Sequence, residues 1–112
     1  MKKRYELLRW KEFGDKESPS ITTAFNDGPY FGQKEIVKYL KTAGTPTVCA
    51  PANTYDVFTH EMIMSKMENW TDGEYSWPCE LYHYVEKYNM RLPKDFEDKV
   101  FAIYGIKRDG QR

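Results

Sequence analysis

The chain has 112 residues, with 17 Lys+Arg balanced by 17 Asp+Glu and a formal net charge of zero. That length holds one hydrophobic core, and the charge balance excludes both a strongly basic nucleic-acid binder and an acidic mimic of a DNA backbone. Its apolar runs are a few residues long, far short of the roughly 20 needed for a membrane-spanning helix, so no membrane partner is expected.

Residues 5–13 (YELLRWKEF) read as a strand with mixed faces. Their alternation of charged and apolar side chains leaves no unbroken apolar core for an export signal, and a cytoplasmic location is the expectation. Residues 20–26 (SITTAFN), rich in β-branched and aromatic side chains, predict a second strand closed by Asp27-Gly28-Pro29. From Gln33 the period changes. Ile36, Tyr39, Leu40 and Ala43 stand at i, i+3, i+4 and i+7, one face of a helix, with Gly44 as its left-handed stop and Pro46 barring continuation. Residues 45–50 (TPTVCA) predict a short strand, residues 55–63 (YDVFTHEMI) a hairpin turning near Thr59-His60, and residues 65–71 a strand running into Asp72-Gly73. A second helix is expected over 78–88, with Leu81, Tyr84, Val85 and Tyr88 as its stripe, Pro78 in its first turn and Asn89 just past its end. A third starts at Pro93, with Asp95, Glu97 and Asp98 at its positive pole and Lys107-Arg108 at its negative one. Its stripe is Leu92, Phe96, Val100 and Ile103, and the tail 109–112 is expected to fray.

An internal echo runs through this pattern. Phe25-Asn26-Asp27-Gly28-Pro29-Tyr30 matches Trp70-Thr71-Asp72-Gly73-Glu74-Tyr75, and the match continues through Glu35/Glu80, Ile36/Leu81, Tyr39/Tyr84 and Leu40/Val85 to Gly44/Asn89. Both copies read as strand, Asp-Gly turn, aromatic, helix and stop, giving pseudo-repeat units near 20–44 and 65–89. The fold class that follows is α+β in a single domain over 1–112: an antiparallel sheet of about four to six strands with three helices packed mainly on one side.

Nine Tyr, six Phe and three Trp make this core aromatic-led. A surface rich in half-exposed Tyr and Trp is a property of binding interfaces, and Tyr30, Tyr75, Trp77 and Tyr82 are the candidate binding residues. Trp77 stands where a hydrophobic staple would precede the second helix. Tyr82 falls on the face opposite that helix's stripe, beside His83, where it would serve as an interface anchor.

Chemical signatures are sparse. Cys79 and His83, four apart, share a helix face and could form a thiolate and its base, but no orienting carboxylate is apparent nearby. With Cys49 and His60 they complete the inventory of a zinc site without its spacing. Neither a metal nor any other cofactor is assigned, and the two cysteines are expected to be reduced. Asp56, Glu61, Asp72 and Glu74 are carboxylates that could pair for acid–base work, although Asp72 is better explained by its turn. Lys2, Lys3, Arg4, Lys107, Arg108 and Arg112 would make a small basic patch if the termini met, a weak nucleic-acid signal. No phosphate-binding loop, zinc-protease or nucleophile-elbow motif occurs.

The segment Asp72-Gly73-x-Tyr75-x-Trp77-Pro78-x-x-Leu81-x-x-Tyr84-Val85-Glu86-x-Tyr88-x-x-x-Leu92-Pro93-x-x-Phe96 resembles the closing motif of a family of small uncharacterised bacterial and phage proteins. The resemblance covers about a quarter of the chain. Departures are His83 in place of an aromatic, Tyr82 in place of a small residue, and His60 in place of a turn glycine. The family carries no activity to transfer. Its members are of the size and type found as immunity proteins beside toxins, or as phage-borne inhibitors of host defence.

Three functions follow as expectations. The first is a non-enzymatic inhibitor that binds another protein, a toxin or a defence effector, as an immunity or anti-CRISPR-like protein. The second is a small-ligand or nucleotide-sequestering domain using the two Asp-Gly turns as lips of a pocket near Tyr30 and Tyr75. The third, a Cys79/His83 enzyme or metal protein, ranks last.

Overall fold

Two apolar stripes at helical spacing organise the centre of the molecule. The computed structural model describes residues 5–6 as backbone and residues 20–106, Val48 without its side chain. Ile36, Tyr39 and Leu40 are buried on α1 (Gln33–Thr42), and Leu81, Tyr84 and Val85 on α2 (Leu81–Tyr88). The helices lie antiparallel: the Gln33 amide at the start of α1 donates to Val85 O and Asn89 Oδ1 near the end of α2, while Lys41 near the end of α1 stands over the Tyr82 ring. A third helix, α3 (Lys94–Tyr104), completes the layer with Phe96, Val100 and Phe101.

The sheet beneath contains β1 (Tyr5–Glu6), β2 (Thr45–Ala50), β5 (Met67–Thr71) and β6 (Tyr75–Pro78) in the order β1-β6-β5-β2. β2, β5 and β6 are antiparallel neighbours, and β1 joins parallel to β6. A separate hairpin pairs β3 (Thr54–Tyr55) with β4 (Met62–Met64). The fold is thus α+β, with three α-helices and two sheets among the described residues. Tyr75 and Trp77 alternate along β6 and reach the helical layer, where both rings meet Phe96 edge-on. At the outer strand β2, Pro46 and a register shift between Pro46 and Val48 interrupt the ladder, a common way of blunting a sheet edge.

Two glycines admit close approaches. Gly32, the residue before α1, has φ +80°, and a Cβ there would fall 2.1 Å from Phe101 Cε1. A Cβ on Gly44 would fall 2.8 Å from Trp70 Cβ and 2.9 Å from Trp77 Cζ2. Gly44 is needed for space, and the expectation that it supplies a left-handed stop is corrected, because α1 ends through Ala43 in right-handed geometry. Asn89 does end α2 left-handed, at φ 57°.

Other expectations also need correction. Residues 20–26 are not a strand: Ile21–Ala24 form a 3-10 turn, and Phe25 makes only an isolated bridge to Met90. The Ser20 hydroxyl accepts from the Thr22 N–H and the Thr23 hydroxyl donates to Ser20 O, local bonds that override β propensity. The two units therefore correspond in their helices but not in their first halves. Asp72-Gly73 is a tight turn with Gly73 at φ +100°, whereas Asp27 is exposed and Gly28 takes no positive φ. Pro78 ends β6 instead of opening α2. In α3 the inward stripe uses Phe101, Ile103 is 54% exposed, and the helix stops at Gly105. Residues 7–13 of the first predicted strand, the Lys2, Lys3, Arg4, Lys107, Arg108 and Arg112 cluster and the tail all lie outside the described residues. No helix among the described residues is long and apolar enough to cross a membrane.

Candidate functional site

Between the outer faces of α1 and α2 lies an open trough of about 760 Å³. Helical periodicity makes it: Gln33, Val37 and Lys41 succeed one another on the α2-facing side of α1, and Glu86 and Asn89 face them from α2. Tyr30 and Pro29 close one end. Lys34, Lys38 and Lys41 line the α1 rim, and none of them forms an ion pair with a described residue. Two lie over rings instead: Lys38 is 5.6 Å from the Tyr104 centroid and Lys41 is 5.1 Å from that of Tyr82.

Hydrogen bonds fix the Tyr30 end of the trough. The Tyr30 hydroxyl donates to Met90 O, its backbone N–H donates to Gln33 Oε1, and the Arg91 guanidinium covers its ring at 4.1 Å. Burial, then Glu97, pushes the Tyr30 hydroxyl well above the usual phenol range, so it stays a donor. Arg91 is in turn held by a bidentate pair to buried Glu97, at 2.8 and 3.1 Å. Tyr82 is half-buried at the seam, with its hydroxyl also pushed up by burial.

A second constellation fastens the hairpin to α2. Fully buried Asp56 accepts the N–H groups of Phe58 and Thr59 through Oδ1, and meets His83 Nε2 at 2.7 Å and the Tyr88 hydroxyl at 2.8 Å through Oδ2. Burial pushes this carboxyl up, but the bonds from His83, the two amides and Tyr88 more than offset it and hold it at about 2. Asp56 is therefore ionised at neutral pH, and His83 Nε2 carries the proton it donates. The Tyr84 hydroxyl accepts the Val57 N–H on the same side. Phe58, Tyr84 and Tyr88 pack ring to ring beneath the turn, which His60 enters at φ 67°.

A third cluster locks α1 and α3 to the β5–β6 turn. Asp72 Oδ1 accepts the Glu74 and Tyr75 N–H groups, while Oδ2 accepts from the Tyr39 hydroxyl at 2.6 Å and Lys99 Nζ at 2.8 Å. Lys99 also reaches Glu74 at 2.9 Å.

The four predicted binding residues separate. Tyr30 lines the trough and Tyr82 does not, lying half-buried under Lys41; Trp77 is 1% exposed, with its indole N–H donated to Leu40 O, and Tyr75 is 7% exposed against Phe96. As surface anchors Tyr75 and Trp77 are corrected: the alternation of β6 points both into the core. The chemical candidates also separate. Cys49 is exposed beside the Glu68 carboxylate, and Cys79 is buried near Lys66 O and Glu80. Burial raises the Cys79 thiol pKa, and its sulfur has no bond to His83. Contrary to expectation, His83 does have an orienting carboxylate, Asp56, 27 positions upstream. The four residues Cys49, His60, Cys79 and His83 form no ligand set, and the described residues contain no group of three or more His, Cys, Asp or Glu able to hold a metal ion. Asp56 and Glu61 serve His83 and Lys87 separately, while Asp72 and Glu74 share Lys99.

Sequence reading missed the lysine rim, although its signal was present: Lys34, Lys38 and Lys41 repeat at i, i+4 and i+7 on the outer face of α1. It also missed Tyr55 and Met62, register partners across the hairpin that are 51% and 56% exposed. Comparisons with known protein families, curated proteins and solved structures find no match for this chain.

Proposed function

We propose that the chain acts by binding another protein, as a non-enzymatic inhibitor of the kind that immunity proteins and phage anti-defence proteins represent, working in the cytoplasm. The observation that carries this reading is the trough: an open concavity closed at one end by a hydrogen-bonded Tyr30 and rimmed by three lysines lacking ion-pair partners among the described residues. Such a surface is preorganised, which lowers the ordering cost of association. The Cys79/His83 pair is not available as a thiolate and its base. His83 and Asp56 tie down the hairpin, and the Cys79 thiol is buried.

A small-ligand reading has one supporting observation, since about 760 Å³ falls within the size range of ligand pockets. Its Asp-Gly lips do not survive: Asp27, Gly28, Asp72 and Gly73 are not among the residues lining the concavity.

The test is site-specific photo-crosslinking in cells carrying the native gene neighbourhood, with the photo-reactive residue at position 38 on the rim or at position 94 on α3. The expected result is one discrete protein adduct at 38 and none at 94, with the captured protein losing its activity when the purified chain is added in equimolar amount. No adduct at 38, or an adduct partner whose activity is unaffected, overturns the proposal.

A further inference from the structure

We propose that the trough between α1 and α2 seats an amphipathic helix of the partner, with carboxylates spaced one helical turn apart along one edge. This rests on the protein-binding reading and specifies the partner's chemistry.

Spacing is the first argument. Lys34, Lys38 and Lys41 follow the axis of α1, so at about 1.5 Å per residue their attachment points span roughly 10 Å. A nucleotide's phosphates lie within a few ångströms of one another and call for converging donors. Here the cations are spread, and the polar groups at the start of α1 are already used: Gln33 Oε1 takes the Tyr30 N–H and its amide nitrogen serves Val85 and Asn89. Acidic side chains at i, i+4 and i+7 on a partner helix reproduce the lysine repeat.

The second argument is charge. Glu35 and Glu86 also line the trough. They would repel a continuous run of phosphates, but they complement basic residues interspersed on an amphipathic helix. A cation also covers one face of the Tyr30 ring, Arg91 at 4.1 Å, which restricts base stacking there. Apolar Val37 lies between the lysine rim and α2 and offers contact to an apolar position of the incoming helix. Helix-in-groove recognition combines an apolar stripe with a charged edge of this kind.

The probe is a synthetic helical peptide carrying Glu at i, i+4 and i+7 beside a Leu stripe, titrated into the isotopically labelled full chain and followed by amide NMR shifts. Comparison titrations use the same peptide with Lys in place of Glu, a single-stranded oligothymidylate, and ATP. Expected are saturable shifts confined to residues 29–42 and 82–89 with the Glu peptide alone, weakened at least tenfold by Lys34→Glu/Lys38→Glu. The proposal is overturned if the Glu peptide leaves those amides unmoved, if the double variant binds it equally well, or if the oligonucleotide or ATP produces the shifts instead. A surviving protein adduct at position 38 alongside a silent Glu peptide removes only the partner's chemistry, whereas loss of both removes the protein-binding reading as well.

Discussion

Replacing Asp56 by Asn tests whether one buried carboxylate holds the β3–β4 hairpin against α2. The variant keeps a carbonyl oxygen for the Phe58 and Thr59 N–H groups but presents an amide where Oδ2 received His83 and Tyr88. The Asp56 carboxyl lies at about 2 against an ordinary 3.8, which at 1.36 kcal/mol per pH unit corresponds to roughly 2 kcal/mol at neutral pH. Leaving the half-buried Tyr88 hydroxyl without its acceptor adds up to about 1 kcal/mol, for an expected loss of roughly 2–4 kcal/mol in urea unfolding followed by circular dichroism. The pH dependence has a fixed sign. A carboxyl whose folded pKa is depressed stabilises the fold above the unfolded value and loses that contribution as pH falls through the folded one. The parent should therefore weaken between about pH 4 and pH 2, where Asp72, also held at about 2 despite the opposing effect of burial, titrates alongside Asp56. In Asp56→Asn about half of that acid-linked loss should vanish. A cost below about 0.5 kcal/mol, or an unchanged acid slope, would refute the clamp.

Lys99→Met removes the cation between Asp72 and Glu74 and leaves an almost fully buried carboxylate facing only the Tyr39 hydroxyl and two amides. A loss of roughly 2–4 kcal/mol is expected by urea unfolding, and an Asp72→Asn/Lys99→Met pair should cost less than the two single losses summed. Gly32→Ala puts a Cβ into the Phe101 ring at a left-handed position, so a loss of about 2–4 kcal/mol should appear in the same assay. Ellman's reagent should modify only Cys49 in the native chain and both thiols in denaturant, because Cys79 is buried. Rapid labelling of Cys79 in the native state would reopen a thiol chemistry.

The helices were legible because burial of Ile36, Tyr39 and Leu40, and of Leu81, Tyr84 and Val85, imposes a period that survives in the residue order. Where local bonding competes with propensity, that legibility ends. Ser20 turns the β-branched run Ile21-Thr22-Thr23 into a 3-10 turn through its own hydroxyl. Strand β6 escaped notice because four residues between Gly73 and Pro78 are too few to show a period, and with it went the burial of Tyr75 and Trp77. That burial depends on Gly44 leaving room for the Trp77 ring, a contact between residues far apart in the chain. The same distance hid the Asp56–His83 bond, since nothing near His83 announces a carboxylate supplied by a separate hairpin. Tyr30 was found by residue type, but only antiparallel packing of α1 on α2 shows that it closes a concavity whose lining omits Tyr82.

The most direct measurement is calorimetric titration of the protein captured at position 38 with the parent chain and with Lys34→Glu/Lys38→Glu, alongside their unfolding midpoints. Binding through the α1–α2 trough predicts affinity at least about tenfold lower in the variant, about 1.4 kcal/mol, with stability changed by no more than about 1 kcal/mol. Equal affinity for the two chains would contradict it.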